Sequence, residues 1–298
     1  MNMVIIYTMA SLSALGISAA VILYFVAQKF KVYEDPRIDE VEGILPAANC
    51  GGCGFAGCRN FAEACVKSED FEGLFCPVGG NDCMTNVANI LGRSAVEKDP
   101  QVAVLLCNGN CDSRPKTSNY DGAKTCSIAT SVYGGDTGCQ FGCHGLGDCV
   151  TVCNFDALRI DDLTGLPVVD DDKCTACGAC VKECPKDLFE LRKRAKKDRK
   201  IYVACKNEDK GGIAKKSCSS ACIGCSKCFK VCPFEAITMN NNLAYIDSDK
   251  CRLCRKCVVE CPTNAIIEIG FPPRKEKPAE VKPKPAAKKD DTNTQTSN

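Results

Sequence analysis

"CTACGACVKECP" at residues 174–185 and "CRLCRKCVVECP" at 251–262 carry one pattern: four cysteines spaced C-x2-C-x2-C-x3-C, with a proline directly after the last. Thiols this dense either cross-link in an oxidising compartment or bind metal as thiolates in a reducing one. The chain holds 27 cysteines in 298 residues, an odd number that disulfides alone would leave incompletely paired. No tryptophan, 6% aromatic residues and 24 glycines describe a chain that does not rely on one large apolar core.

The compartment decides between the two readings. Residues 3–27, "MVIIYTMASLSALGISAAVILYFVA", carry no charge and are followed by Gln28, Lys29 and Lys31. At ~1.5 Å per residue such a run crosses a hydrocarbon core of ~30 Å as one transmembrane helix. A cleaved signal peptide is the competing reading, but no basic side chain precedes the run, and the run exceeds the usual signal-peptide core. The flanking lysines put everything after residue 28 on the cytoplasmic side, since Glu34 and Asp35 count little in the positive-inside rule. Thiols there stay reduced, which favours metal.

Outward from the opening stretch, an internal repeat emerges. Residues 153–185 align with 232–262: a cysteine, a short apolar strand, a turn rich in Asp, Asn and Gly, a second strand, then the cysteine quartet. Each copy reads as a hairpin leading into a short helix. The spacing is the ligand run of bacterial ferredoxins with two 4Fe-4S cubanes, in which the fourth cysteine of each run binds the other cluster. That crossing groups Cys222, Cys225 and Cys228 with Cys261, and Cys251, Cys254 and Cys257 with Cys232. Zinc also accepts four thiolates but draws on separated pairs, whereas these runs are crowded and alternate with hairpins. "CSSACIGC" (218–225) contains the C-x3-C-x2-C triplet of radical-SAM enzymes, yet it continues as a ferredoxin run and leaves no room for a barrel.

In the middle module Cys174, Cys177, Cys180 and Cys184 precede Pro185, while the first run, "CQFGCHGLGDCVTVCN", is stretched to Cys139, Cys143, Cys149 and Cys153, with Asn154 in place of proline. The same rule groups Cys139, Cys143 and Cys149 with Cys184, and Cys174, Cys177 and Cys180 with Cys153. "CHG" at 143 lacks the C-x2-C-H spacing of covalent haem, and His144, the only histidine, reads as a surface or supporting residue. "CGGCGFAGC" with "CPVGG" presents Cys50, Cys53, Cys58 and Cys76 for one further cluster, its glycines letting backbone amides approach the sulfurs. Cys65, Cys83, Cys107, Cys111, Cys126, Cys205 and Cys218 remain. Of these Cys107, Cys111 and Cys126 resemble three ligands of a sixth cluster, completed by Cys205 or Cys218, with small buried thiols as the plain alternative.

Cubanes with every iron held by protein move single electrons and offer no open site for substrate chemistry. "GGDTGC" (134–139) lacks the G-x-G-x-x-G fingerprint, so no flavin or NAD site is expected on this chain. The anchor, the "CGGCGFAGC…CPVGG" element, "GGDTGCQFGCHGLGDCVTVC" and the tandem runs, in that order, resemble the B subunit of the Rnf ion-translocating ferredoxin:NAD oxidoreductase, from the anchor to about residue 270. The resemblance implies an electron-transfer subunit of a translocase. It would take electrons from soluble ferredoxin and pass them through five 4Fe-4S clusters, or six, to membrane and flavin subunits in the lipid bilayer. A polyferredoxin subunit of another membrane oxidoreductase is the alternative, and a zinc-stabilised binding protein a more distant one.

The expected fold class is α+β: a transmembrane anchor (1–28), a small iron-sulfur domain (29–100), two ferredoxin-like modules (101–190 and 191–270) and a disordered tail (271–298) rich in Pro, Lys and Ala. A helix is expected at 85–97 with Val87, Ile90, Leu91 and Val96 on one face. The basic run "ELRKRAKKDRK" (190–200) reads as a solvated stretch or as a docking patch for an acidic carrier through Lys196, Lys197 and Lys200. A formal net charge of only +1 argues against nucleic acid.

Overall fold

The computed structural model describes residues 2–29, 35–95 and 97–273. Helix α1 (Asn2–Lys29) contains a 25-residue stretch, Ile5–Lys29, long and apolar enough to cross a membrane. Leu12, Leu15, Ile17 and Phe25 are exposed, the condition of a helix apolar all round whose surroundings must be apolar too. The hydroxyls of Thr8, Ser11 and Ser18 donate back to the carbonyls of Ile5, Thr8 and Leu15, so these polar atoms need no water.

Three helices, α2 (Arg37–Ile44), α3 (Cys58–Lys67) and α4 (Gly80–Leu91), follow and bury one face each. Val41, Phe61, Cys65, Met84 and Val87 form their shared core. Arg59 on α3 donates to Asp39 and Glu42 at 3.0 and 2.7 Å, fixing α3 beside α2. Helix α4 runs Gly80–Leu91 rather than 85–97, because Gly92 adopts the left-handed conformation (φ 64°) that ends a helix. Val87 is buried and Ile90 and Leu91 pack on the same core, while Val96 lies outside the described residues.

The rest of the described chain repeats one plan twice. The first copy holds β1 (Gln101–Leu105), α5 (Cys126–Val132), α6 (Asp148–Thr151), β2 (Leu158–Ile160), β3 (Pro167–Val169), α7 (Ala179–Glu183) and β4 (Phe189–Lys193). The second holds β5 (Lys200–Val203), α8 (Gly211–Ser217), α9 (Lys227–Val231), β6 (Ile237–Asn240), β7 (Leu243–Ile246), α10 (Lys256–Glu260) and β8 (Ile266–Ile269). In each copy the inner strands make a hairpin (β2–β3, β6–β7) and the outer strands pair antiparallel (β1–β4, β5–β8). Asn241 and Asn242, at φ 45° and 63°, supply the two left-handed residues of a tight hairpin turn. In the other hairpin the Asp161 carboxylate accepts from the Thr164 amide and hydroxyl at 3.1 and 2.6 Å.

The outer strands, which hairpin reasoning did not anticipate, change the reading of the basic run. Phe189–Lys193 pairs with β1, and Lys200 opens β5. Arg192 is 3% exposed and stacks over the Tyr202 and Tyr245 rings, and Lys200, 5% exposed, pairs with Asp171. Lys193 pairs with Asp99 and Asp249, and Arg194 with Asp172 and Asp198. The stretch is therefore mostly a seam between modules, from which Lys196 and Lys197 stand out at exposed positions. The expected tail falls, from residue 274 onward, outside the described residues, as do residues 30–34 of the connector.

Candidate metal centre

The cysteine loops share a backbone signature that spacing alone does not disclose. On either side of the middle cysteine of each orthodox run stands a residue with positive φ: Ala176 and Gly178 around Cys177, Gly224 and Ser226 around Cys225, Leu253 and Arg255 around Cys254. Near Cys53, Gly51 two residues before it and Gly54 directly after it have positive φ, and Gly145 and Gly147 lie between Cys143 and Cys149. Such alternation turns successive N–H groups inward into a nest that binds anions, iron-sulfur groups among them. Leucine, arginine, serine and alanine adopt left-handed geometry only at a cost of about 1–3 kcal/mol each, a strain that collects at functional sites.

The two loops of the second module open onto thiols from elsewhere in the chain. One cavity is lined by Cys222, Cys225, Cys228 and Cys261, and another by Cys232, Cys251, Cys254 and Cys257. Helices α9 and α10 pack on one another and carry Cys228 and Cys257, while their C-caps, Cys232 and Cys261, project to the opposite quartets. In the first module Cys180 lies near Cys174, Cys177 and Cys153.

The stretched run departs from its expected grouping. Cys143, Cys149 and Cys184 line a cavity whose fourth thiol is Cys126, not Cys139. Cys126 begins α5, and the Asp148 carboxylate accepts the Cys126 and Ser127 amides at 2.9 and 3.2 Å. Because Asp148 directly precedes Cys149, this cap pins Cys126 beside it. Cys139 instead faces the side chain of Asn207, whose Nδ2 donates to its Sγ at 3.6 Å, and lines a different cavity with Cys107, Cys205 and Cys218. Cys111, expected with Cys107 and Cys126, is exposed and donates to the Thr164 carbonyl. The expected trio of Cys107, Cys111 and Cys126 is thus dispersed, because the 106–147 insertion folds as turns and α5 rather than as one ligand loop. His144 lies half-buried against the Thr130 hydroxyl at 3.0 Å, and burial, followed by the nearby Lys186 and Arg114, lowers its pKa to about 4.

Near the N-terminus, Asn49 accepts the Cys58 amide at 2.8 Å and so closes the Cys50–Cys53 loop onto α3. Cys53 and Cys58 border the core that encloses Cys65, Cys76 and Cys83. Cys65 is fully buried, and burial pushes its pKa up to about 12. Cys83 abuts Cys76, and the hydrogen bond to that thiol holds its own proton on. This domain meets the first module closely: a Cβ at Gly52 would lie 2.8 Å from the carbonyl oxygen of Cys177.

Five of the enclosed thiols are ill suited to remain ionised, whereas the hydrogen bond with Cys83 lowers the Cys76 pKa to about 6. Burial pushes Cys143, Cys149, Cys180 and Cys257 up to about 12 and Cys228 to about 11. A cation at the site must supply the charge that favours thiolate. Amides already point at the sulfurs: Gly79 to Cys76, Gly145 to Cys143 and Leu188 to Cys184, each at 3.4 Å. Among the described residues no three metal-binding side chains converge as one ion would require. Three sets of four thiols ring cavities instead, so donor chemistry, nests and spacing fit 4Fe-4S.

Duplicated cysteine-lined hairpin modules behind a helix long and apolar enough to cross a membrane define a class: membrane-associated, iron-sulfur electron-transfer proteins of the polyferredoxin kind. Residues 138–188 and 221–265 match the family described as "4Fe-4S dicluster domain", residues 166–233 match a second family of that description, and residues 45–73 match "Putative Fe-S cluster". Over 87% of this chain and 77% of the relative, it is 44% identical to the B subunit of the Na(+)-translocating ferredoxin:NAD(+) oxidoreductase complex of Acetobacterium woodii. It is 39% identical to the B subunit of the ion-translocating oxidoreductase complex of Methanosarcina acetivorans, over 89% of this chain and 99% of the relative. A counterpart from the proton-translocating ferredoxin:NAD(+) oxidoreductase complex of Clostridium ljungdahlii is 39% identical over 89% of this chain and 93% of its own length. The chain belongs to the family of B subunits of the Rnf ion-translocating oxidoreductase complexes. It is the iron-sulfur electron-transfer component of such a translocase, carrying 4Fe-4S clusters.

Proposed function

We propose that the chain collects electrons from reduced soluble ferredoxin at its second module and delivers them through protein-held clusters to the membrane and flavin subunits of the complex. The observation that supports this is the set of cavities ringed by four thiols, two in the second module and one in the first, together with the Gly52–Cys177 contact that brings the N-terminal domain against the first module. The holding residues are Cys50, Cys53, Cys58 and Cys76; Cys153, Cys174, Cys177 and Cys180; Cys126, Cys143, Cys149 and Cys184; Cys222, Cys225, Cys228 and Cys261; and Cys232, Cys251, Cys254 and Cys257. A 4Fe-4S group bound in such a quartet accepts and releases one electron with little rearrangement.

The chain's own residues set the conditions. Ile237, Ile246 and Ile266 bury the inner faces of the second module's quartets and exclude water there. Cys225 and Cys254 are exposed, so electrons can enter at these points. Exposed Arg252 and Lys256 flank Cys254 and steer an acidic partner toward it, an attraction that weakens with salt. Of the basic run only Lys196 and Lys197 remain candidates for such steering, since Lys200 is spent on Asp171. Lys29 at the end of α1 favours a cytoplasmic location for the iron-sulfur part, on the side where soluble ferredoxin resides.

The test is to purify the full chain anaerobically in detergent, count iron and sulfide, and follow reduction by ferredoxin at rising ionic strength. Iron at about four per quartet, with a rate that falls with salt and loses that dependence in Arg252→Gln/Lys256→Gln, supports the proposal. A chain that binds zinc instead, or that ferredoxin does not reduce, refutes it. Protease digestion of inverted vesicles that spares the iron-sulfur part would refute the orientation.

A further inference from the structure

A cavity of about 290 Å³ lies between the end of β4, the start of β5 and the loop that carries Cys251. Six cationic residues line it, Arg192, Lys193, Arg194, Arg199, Lys200 and Arg252, against two carboxylates, Asp99 and Asp249. Both carboxylates are held by one of the six, Lys193, at 2.8 and 2.9 Å. Arg194 pairs with Asp172 and Asp198, and Lys200 with Asp171, so three of the cations are matched.

The other three are under-matched. Arg192 is 3% exposed, and its guanidinium carbon lies 5.6 and 5.3 Å from the ring centres of Tyr202 and Tyr245. Its Nη2 donates to Glu190 at 3.4 Å, which leaves Nε and Nη1 buried without a hydrogen-bond partner. Arg199 lies over the Phe271 ring, and its Nε is buried without a partner too. Three of the five such orphaned atoms among the described residues thus belong to arginines of this one cavity. Arg199 and Arg252 make no ion pair among the described residues. A buried guanidinium N–H left without an acceptor is costly. Guanidinium presents its donors in a planar fork suited to oxyanions, and a phosphate group offers three acceptor oxygens where a carboxylate offers two. Three arginines drawn from β4, from the turn before β5 and from the Cys251 loop therefore suit a phosphate better than a carboxylate.

We propose that this cavity binds a soluble phosphate group, free or esterified, with Arg192, Arg199 and Arg252 as its donors. The site has a consequence for the neighbouring thiols. Cys251 lines this cavity and also the one it shares with Cys232, Cys254 and Cys257. An electron taken up by that quartet and the bound anion are like charges at close range, so each disfavours the other, and by the same factor in both directions. Phosphate thereby lowers the midpoint of the quartet at which electrons enter, a coupling that rests on the reading that the quartet holds a 4Fe-4S group.

The test titrates inorganic phosphate, and separately glycerol phosphate, into the full chain in detergent, at a constant ionic strength set with chloride. Saturable uptake of one phosphate per chain is expected. Loss of a charge-assisted hydrogen bond should weaken it about tenfold to hundredfold in Arg192→Gln and in Arg199→Gln. Lys196→Gln, on the same basic run but outside the cavity, should bind as wild type does. No saturable uptake of either probe, or equal weakening in all three variants, overturns the site. Tighter uptake of glycerol phosphate supports an esterified ligand, and tighter uptake of inorganic phosphate the free ion. Where Arg192→Gln fails to fold, Arg199→Gln decides, because no carboxylate is left unpaired by its loss. Saturating phosphate is expected to lower one midpoint by about tenfold in the reduction equilibrium, ~59 mV for one electron, in wild type and not in Arg199→Gln. Midpoints unmoved by bound phosphate overturn the coupling and leave the site standing. A wild-type chain without iron overturns the reading of the quartets instead, and uptake still decides the site.

Discussion

Replacing Gly52 with alanine tests whether the N-terminal domain is docked on the first ferredoxin module. Gly52 has no left-handed φ, so alanine meets no backbone strain there, and the effect is steric alone. The new Cβ would stand 2.8 Å from the Cys177 oxygen, 3.0 Å from its Cα and 3.0 Å from Pro77 Cγ, where ordinary contact begins at 3.4 Å. Two of these three atoms are backbone, in a loop already committed to positive φ at Ala176 and Gly178, so they yield little. Overpacking of this kind costs about 1–3 kcal/mol, which favours the undocked arrangement by about 5–150-fold. Amide exchange across 50–57 and 174–181 should accelerate within that range, with the iron content retained. Gly43→Ala, on α2 with nothing within 4 Å, is the control and should change neither region. Exchange in Gly52→Ala that matches wild type in both loops would refute the docked arrangement and the electron route through it.

Crossed ligation makes a prediction about non-additivity: Cys222→Ser/Cys261→Ser should lose about four irons, as each single variant does, whereas Cys251→Ser/Cys261→Ser should lose about eight, by iron assay. Lys200→Met removes one partner of a buried ion pair with Asp171 and should lower unfolding free energy in denaturant titrations by about 3–5 kcal/mol. Lys196→Gln and Lys197→Gln, both at exposed positions, should stay within about 0.5 kcal/mol of wild type. Asp148→Ala removes the carboxylate that accepts the Cys126 and Ser127 amides and should cost about 1.5–3 kcal/mol. It should also release iron from the Cys143 quartet to a chelator before the other sites, seen as the first phase of iron loss.

Wherever ligands lie close together in sequence, the chemistry was legible without coordinates. The C-x2-C-x2-C-x3-C runs, their repetition and the uncharged stretch before Lys29 were enough to indicate iron-sulfur modules behind a membrane helix. A local run encodes its own loop, since three thiols at fixed spacing can wrap one cluster whatever the rest of the chain does. The hairpins were legible for the same reason, through Asn241, Asn242 and Asp161 in their turns.

Tertiary structure decided what depends on long-range closure. Cys126 and Cys139 both precede Cys143, and nothing in their spacing tells which joins it. The Asp148 cap on α5 and the turn of Cys139 toward Asn207 make that choice. Outer strands β4 and β5 converted a lysine- and arginine-rich stretch from apparent surface into a seam, because strand pairing buries Arg192 and Lys200 against acidic and aromatic partners from distant segments. The sequence by itself determined the cofactor class, the repeat and the long apolar N-terminal helix, which arise from contiguous residues. Only the fold determined which distant thiols share a cavity and how the domains abut, because those contacts exist only after separate strand ends and loops have been brought together.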